Sequence, residues 1–111
     1  MQPRLKSGLW VRALIRRYDG MAVPAIVVRK GDEDAGAILV KVSRRERGCL
    51  VMTRVQDPAG ELVWQRGTGA DPVDEAAADA YIARQTGRDP DLWVVEIEAG
   101  AGEIMLDGTS V

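Results

Sequence analysis

Four short runs dense in β-branched residues, each closed off by turn chemistry, most tightly limit what this chain can fold into. Ala25 to Arg29, Ala37 to Val42, Cys49 to Val55 and Glu61 to Arg66 have strand length and end at Gly, Pro, Asp or Ser clusters. In the second run Ile38, Val40 and Val42 share one face while Lys41 points the other way, the alternation of a half-buried antiparallel strand. Asp57-Pro58-Ala59-Gly60 favours a tight turn, since Pro58 presets φ and Gly60 relieves strain, so the third and fourth runs should form a hairpin. Ser43 to Gly48 closes the hairpin before it.

Helical periodicity brackets these strands. Trp10, Val11, Leu14, Ile15 and Tyr18 recur at spacings of three and four, opposite Arg12, Arg16 and Asp19, which predicts a helix over residues 9–19 stopped by Gly20. A strand over the same residues, paired with the next run, is the competing reading. Past Gly67-Thr68-Gly69, Asp74 suits an N-cap and Glu75 and Asp79 suit the positive end of a second helix. Ala77, Ala78, Tyr81 and Ile82 form its apolar stripe and Gly87 is its expected end. Asp89-Pro90-Asp91 then turns the chain into a last strand, Leu92 to Glu98. The predicted fold is α+β: a mostly antiparallel sheet of about five strands with two helices packed on it, in the order helix, four strands, helix, strand. At 111 residues, with no repeat or linker, the chain reads as a single domain over 1–111, ordered from about residue 6 to 107.

Two scarcities exclude much chemistry. There is no histidine, and Cys49 is the only cysteine. Structural zinc needs about four thiolate or imidazole ligands, and a Ser-His-Asp or Cys-His arrangement needs an imidazole base. No cofactor or metal is therefore expected, and any hydrolase reading must use carboxylates or a lysine. A single thiol suits a reducing interior. Arg12 interrupts the first apolar stretch, Leu9 to Val11, before a signal-peptide core forms, and Met21 to Val28, broken by Pro24, is far short of the roughly 20 residues that span a bilayer. The expectation is a cytoplasmic protein without membrane insertion.

Charge is lopsided along the chain. Residues 1–66 hold 13 Lys and Arg against 7 Asp and Glu, while residues 67–111 hold 2 against 10. Either the basic half offers a face to polyanions or the two halves attract each other within one fold.

Local strings add little. Gly31-Asp32-Glu33-Asp34-Ala35-Gly36 fails as a calcium loop, because Gly36 and Ser43 stand where ligands are needed. It fails as a phosphate loop too, because Ala37-Ile38 replaces Lys and Ser or Thr, so it reads as a solvated turn. Arg12, Arg16 and Arg17 on the first helix and Arg44, Arg45 and Arg47 in one hairpin turn are candidate contacts for a polyanion or a partner. Arg66, Asp89, Asp91 and Trp93 are the candidates for a ligand pocket, with carboxylates for acid-base work and arginine for an anion. A concave pocket gathering such groups around Trp64 or Trp93 would mark ligand chemistry, whereas a flat surface would mark a macromolecular partner.

Arg4-Leu5-Lys6-Ser7-Gly8-Leu9-Trp10-Val11, Arg29-Lys30-Gly31-Asp32 with Ala35-Gly36, the run Asp74 to Ile82, and Asp89-Pro90-Asp91-Leu92-Trp93-Val94-Val95-Glu96-Ile97 together resemble the bacterial family designated domain of unknown function 1491. The similarity extends over nearly the whole chain. It implies a free-standing small bacterial protein and carries no activity, cofactor or catalytic residue to transfer. The residues themselves favour a small non-catalytic binding or scaffolding protein with a protein partner or self-association, for instance by edge pairing of Trp93 to Ile97 or Ala37 to Val42 with a second copy. The alternatives are a small enzyme or small-molecule binder using carboxylate and arginine side chains, and RNA or DNA binding through the basic N-terminal half.

Overall fold

The last long strand of the chain is inserted into the middle of a sheet that the earlier strands begin. A computed structural model describes residues 5–111. Helix α1 (Ser7–Gly20) precedes β1 (Ala25–Arg29), β2 (Ile38–Ser43), β3 (Cys49–Gln56) and β4 (Leu62–Arg66), followed by α2 (Glu75–Arg88), β5 (Trp93–Glu98) and a hairpin of β6 (Met105–Leu106) and β7 (Thr109–Ser110). The five-stranded sheet runs β1-β5-β2-β3-β4, antiparallel throughout except for the parallel pair β2 and β5. Both hairpins expected from the turn chemistry form, β2 with β3 and β3 with β4.

Residues 9–19 are helical, which removes the competing strand reading. Trp10, Val11, Leu14 and Tyr18 lie in one core with Ile38, Val40, Val42, Trp93, Val95 and Ile97. The opposite sheet face holds Leu39, Cys49, Val51, Ala78 and Leu92 beneath α2. A parallel neighbour needs a long crossover, and α2 supplies it, passing over β3 and β2 between β4 and β5.

Several expectations need correction. Strands β2 and β5 are interior, so neither Ala37 to Val42 nor Trp93 to Ile97 can pair with a second copy, and the sheet edges are β1 and β4. With helices on both faces β2 is buried from Ile38 to Val42, and Lys41 lies 4 % exposed under α2 instead of facing water. Helix α2 runs through Gly87 to Arg88. The element order also continues past β5 into the β6–β7 hairpin, whose tip Asp107-Gly108 adopts positive φ at both residues (50° and 80°), as a type I′ turn requires.

Insertion of β5 also explains the loop over residues 31–36. The link from β1 to β2 must cross the start of the strand between them, and a Cβ at Gly31 or at Gly36 would fall within the van der Waals shell of the Asp91 carbonyl oxygen. Trp93 Nε1 donates to the Asp32 carbonyl (2.7 Å) and Asp32 N–H to the Asp91 carbonyl (3.0 Å). Helix α1 has no side-chain cap, so the N–H groups of Ser7 and Gly8 donate to the carbonyls of Asp34 and Glu33 (3.3 and 2.9 Å). Buried Ser7 Oγ donates to the Gly36 carbonyl at 2.6 Å. The segment expected to be a solvated turn is a packed joint between α1 and β5.

Gly36→Ala should therefore cost about 2 kcal/mol through overpacking, whereas Gly87→Ala, in open space on α2, should stabilise by about 0.5 to 1 kcal/mol. Urea denaturation of the two variants checks both signs.

Candidate functional site

Four polar or apolar constellations stand out. The first is centred on Lys41 in β2. Its Nζ lies 2.8 Å from Asp79 Oδ1, 3.0 Å from Glu96 Oε1 and 3.6 Å from Glu75 Oε1. Glu96 stands beside Lys41 because the parallel register pairs the two residues, while Glu75 and Asp79 are one turn apart on α2. Burial by itself would lower the Lys41 pKa, but hydrogen bonds to Asp79 and Glu96 and their negative charge outweigh it and raise the ammonium above the ordinary lysine value. Ala78 is the one buried residue of α2, so this cluster is a main tie between α2 and the sheet.

The second lies on the other face. Asp107, held at the hairpin tip by its positive φ, accepts from Trp10 Nε1 and from Trp64 Nε1, both at 2.9 Å. The two indoles sit 5.5 Å apart, and the Arg54 guanidinium lies 5.0 Å above Trp10, 5.9 Å from Trp64 and 3.9 Å from Asp107 Oδ2. Tyr18 pins the same hairpin by donating to the Met105 carbonyl (3.1 Å) and accepting the Met105 N–H (2.9 Å). An adjoining cavity of about 220 Å³ is lined by Leu5, Trp10, Leu14, Arg17, Met105 and Asp107, below the roughly 300 to 1,000 Å³ of ordinary ligand pockets. The sequence reading missed this site; Asp107-Gly108 before Thr109 is an Asp-Gly turn signal, which points to the hairpin but not to the indoles that meet it.

The third is the arginine turn. Arg44 is engaged internally, donating to the carbonyls of Gly100 (3.2 Å), Gly102 (2.7 Å) and Val111 (2.7 Å). Arg45 and Arg47 line an open depression of about 340 Å³ with Glu46, Cys49, Asp74 and Glu75, so acidic groups offset the basic ones. On α1, Arg12 donates to Glu33 (3.0 and 3.2 Å), while Arg16 and Arg17 make no hydrogen bond or ion pair among the described residues.

The four pocket candidates do not converge. Trp93 is buried with its indole donating to Asp32, Asp89 Oδ1 accepts the Asp91 N–H (3.0 Å) in a local turn, and Arg66 donates to the Ala70 carbonyl (2.7 Å). Arg66 belongs to edge strand β4, three strand spacings or about 14 Å from β5. No group of three His, Cys, Asp or Glu among the described residues is arranged to hold a metal ion.

The fourth is the margin formed by α1 and β1. Leu5, Leu9, Met21, Ile26, Val27 and Val28 are the exposed large apolar side chains among the described residues, and all belong to α1, β1 or the chain beside them.

Among family models, the one described as "Protein of unknown function (DUF1491)" matches residues 5–107. The chain belongs to the DUF1491 family. Its fold is similar to the crystal structure of a DUF1491 family protein from Caulobacter crescentus CB15, at 43% identity over 86% of this chain and 88% of that one, with a TM-score of 0.76. An NMR structure of a DUF1491 family protein from the same organism gives 41% identity over 91% of each chain and a TM-score of 0.79. Protein Atu0922 from A. tumefaciens, solved in solution, gives 33% identity over 86% of each chain and a TM-score of 0.72. No curated protein matches the chain.

The DUF1491 strings have a structural meaning in this chain. Lys6 to Val11 begin α1, Arg29 to Gly36 form the crossing loop, and Asp89 to Ile97 form the turn and β5, so three of the four meet at the joint that locks β5 in place. The fourth, Asp74 to Ile82, caps and opens α2 and brings Glu75 and Asp79 to Lys41. Arg4 lies outside the described residues.

Lys41→Met should leave stability unchanged or higher, whereas Asp79→Ala should cost about 1 kcal/mol, discounted for the exposure of Asp79. Because the folded-state pKa of Lys41 is raised, its contribution is complete below the unfolded lysine value of about 10.4 and declines as pH rises beyond it. Relative to Lys41→Met, the native chain should lose stability only above that pH, as followed by denaturation at fixed alkaline pH values. Asp107→Ala strands two indole N–H donors and should cost about 2 kcal/mol, with a change in tryptophan emission reporting the site.

Proposed function

We propose that this protein is a small non-catalytic binding protein that engages a protein partner through the α1–β1 margin. The observation that carries the reading is the gathering of exposed large apolar side chains on that one margin, with Ile26 at 57 %, Val27 at 42 % and Val28 at 57 % exposure. Apolar surface collected in this way marks an interaction site. The other constellations support it by their internal engagement: Lys41 is satisfied by carboxylates, Asp107 by indoles and Arg44 by carbonyls. The acid-base reading draws on Asp89 and Asp91, which share one local turn, and on Arg66, which stands apart from them on the edge strand β4. A reducing cytoplasmic setting suits the free, buried thiol of Cys49, and no helix among the described residues is long and apolar enough to cross a membrane.

The test compares captures from extracts of the native host, with and without nuclease. An Ile26→Ser, Val28→Ser variant changes exposed residues and should keep its stability to within about 0.5 kcal/mol. The expected result is nuclease-resistant retention of a protein by the native chain and by Arg45→Ala, Arg47→Ala, and its loss from the β1 variant. Equal retention by the β1 variant, or retention only of nuclease-sensitive material, overturns the reading.

A further inference from the structure

Hydrogen-bond alternation decides what the margin can offer. Glu98 N–H donates to the Pro24 carbonyl at 2.9 Å, which makes Pro24 and Glu98 a hydrogen-bonded pair. Antiparallel alternation then turns the N–H and C=O of Ile26 toward Glu96 of β5, and those of Ala25 and Val27 toward the open edge. The template is short: the Val23 N–H is taken by the Tyr18 carbonyl (2.9 Å), and a register irregularity follows Val27. Flanking side chains are apolar on both faces, with Ile26 on the side of Glu96 and Val27 on the side of Val95.

Charge narrows the occupant. From Leu5 to Lys30 the chain carries Lys6, Arg12, Arg16, Arg17, Arg29 and Lys30 against Asp19 alone. The acidic groups of the neighbouring loop are already engaged: Glu33 by Arg12 and Lys30, Asp34 by Lys6, and Asp32 by the amides of Asp34 and Ala35. Arg16 lies one turn beyond Arg12, on the exposed side of α1, and has no partner among the described residues. A two-fold pairing of β1 with its own copy would also set α1 beside its copy and bring these arginines toward one another.

We propose that the open edge of β1 accepts a short, extended, acidic segment of a partner protein as a sixth strand, paired through the backbone of Ala25 and Val27 and drawn by the basic charge of α1 and the end of β1. The proposal rests on the α1–β1 margin being the binding face. In this mode main-chain bonds supply affinity and alternate side chains supply specificity.

The probes are an alternating Val-Glu peptide, its Val-Lys counterpart, and a Val-Glu peptide N-methylated at alternate residues, each added to the full chain at millimolar concentration. Amide exchange at Ala25 and Val27 and chemical-shift titration are the readouts. The expected result is protection of both amides by Val-Glu, its loss on N-methylation, and binding about tenfold weaker with Val-Lys or with Arg16→Glu. Equal binding of Val-Lys overturns the acidic preference, and absence of protection at Ala25 and Val27 overturns strand addition. If Ile26→Ser, Val28→Ser nevertheless releases the captured partner, the binding face itself stands. Protection of those amides by self-association alone, seen as a dimer in sedimentation, overturns the proposal in favour of a second copy.

Discussion

The insertion of β5 between β1 and β2 is the constraint on which the rest of this molecule depends. A strand with neighbours on both sides and helices over both faces can bury Trp93, Val94, Val95 and Ile97 together, and burial on that scale contributes roughly 1.5 to 3 kcal/mol per large apolar side chain. Because β5 runs parallel to β2, the chain must travel from the β4 edge back across the sheet, which is the path of α2. Because β5 separates β1 from β2, the link between those two strands must cross its start. Gly31, Gly36 and Asp91 form that crossing, and the carbonyls of Glu33 and Asp34 then serve as the cap that α1 lacks.

The two faces solve different problems. On the α1 face the apolar core is wide, and the segment after β5 is fastened beneath α1 by Tyr18, by the indoles of Trp10 and Trp64 on Asp107, and by the Arg44 guanidinium on three carbonyls. On the α2 face the core is small and Lys41 supplements it. A buried ammonium is tolerated there because carboxylates from α2 and β5 converge on it. Lys41 and its three carboxylates, together with Arg54 and Asp107, show that the basic and acidic parts of the chain do attract each other within the fold.

Once those internal uses are accounted for, the α1–β1 margin is left. Its apolar residues do not complete either core, and its free backbone groups are those of a sheet edge. Natural edges are commonly shortened or bulged to limit indiscriminate pairing, and β1 has both Pro24 before it and an irregularity within it. An edge so restricted, yet carrying Ile26, Val27 and Val28 in the open, is suited to selective pairing more than to aggregation.

What the sequence determined by itself is local. The 3.6-residue period placed α1, the β-branched runs and turns placed β1 to β4, Asp74 fixed the start of α2, and alternation placed β5, because each signal comes from residues near one another in the chain. The Asp107-Gly108 turn was equally readable, while its meeting with Trp10 and Trp64 was not, since those residues are 97 and 43 positions away. Strand order was decided only by the tertiary structure: period-two patterning says which side chains share a face and nothing about which strand lies next to which. That order turned Lys41 from a solvent-facing residue into a buried one, made β1 and β4 the sheet edges in place of β2 or β5, and separated Arg66 from Asp89, Asp91 and Trp93. Burial and edge position are properties of the assembled sheet, and no single strand carries them.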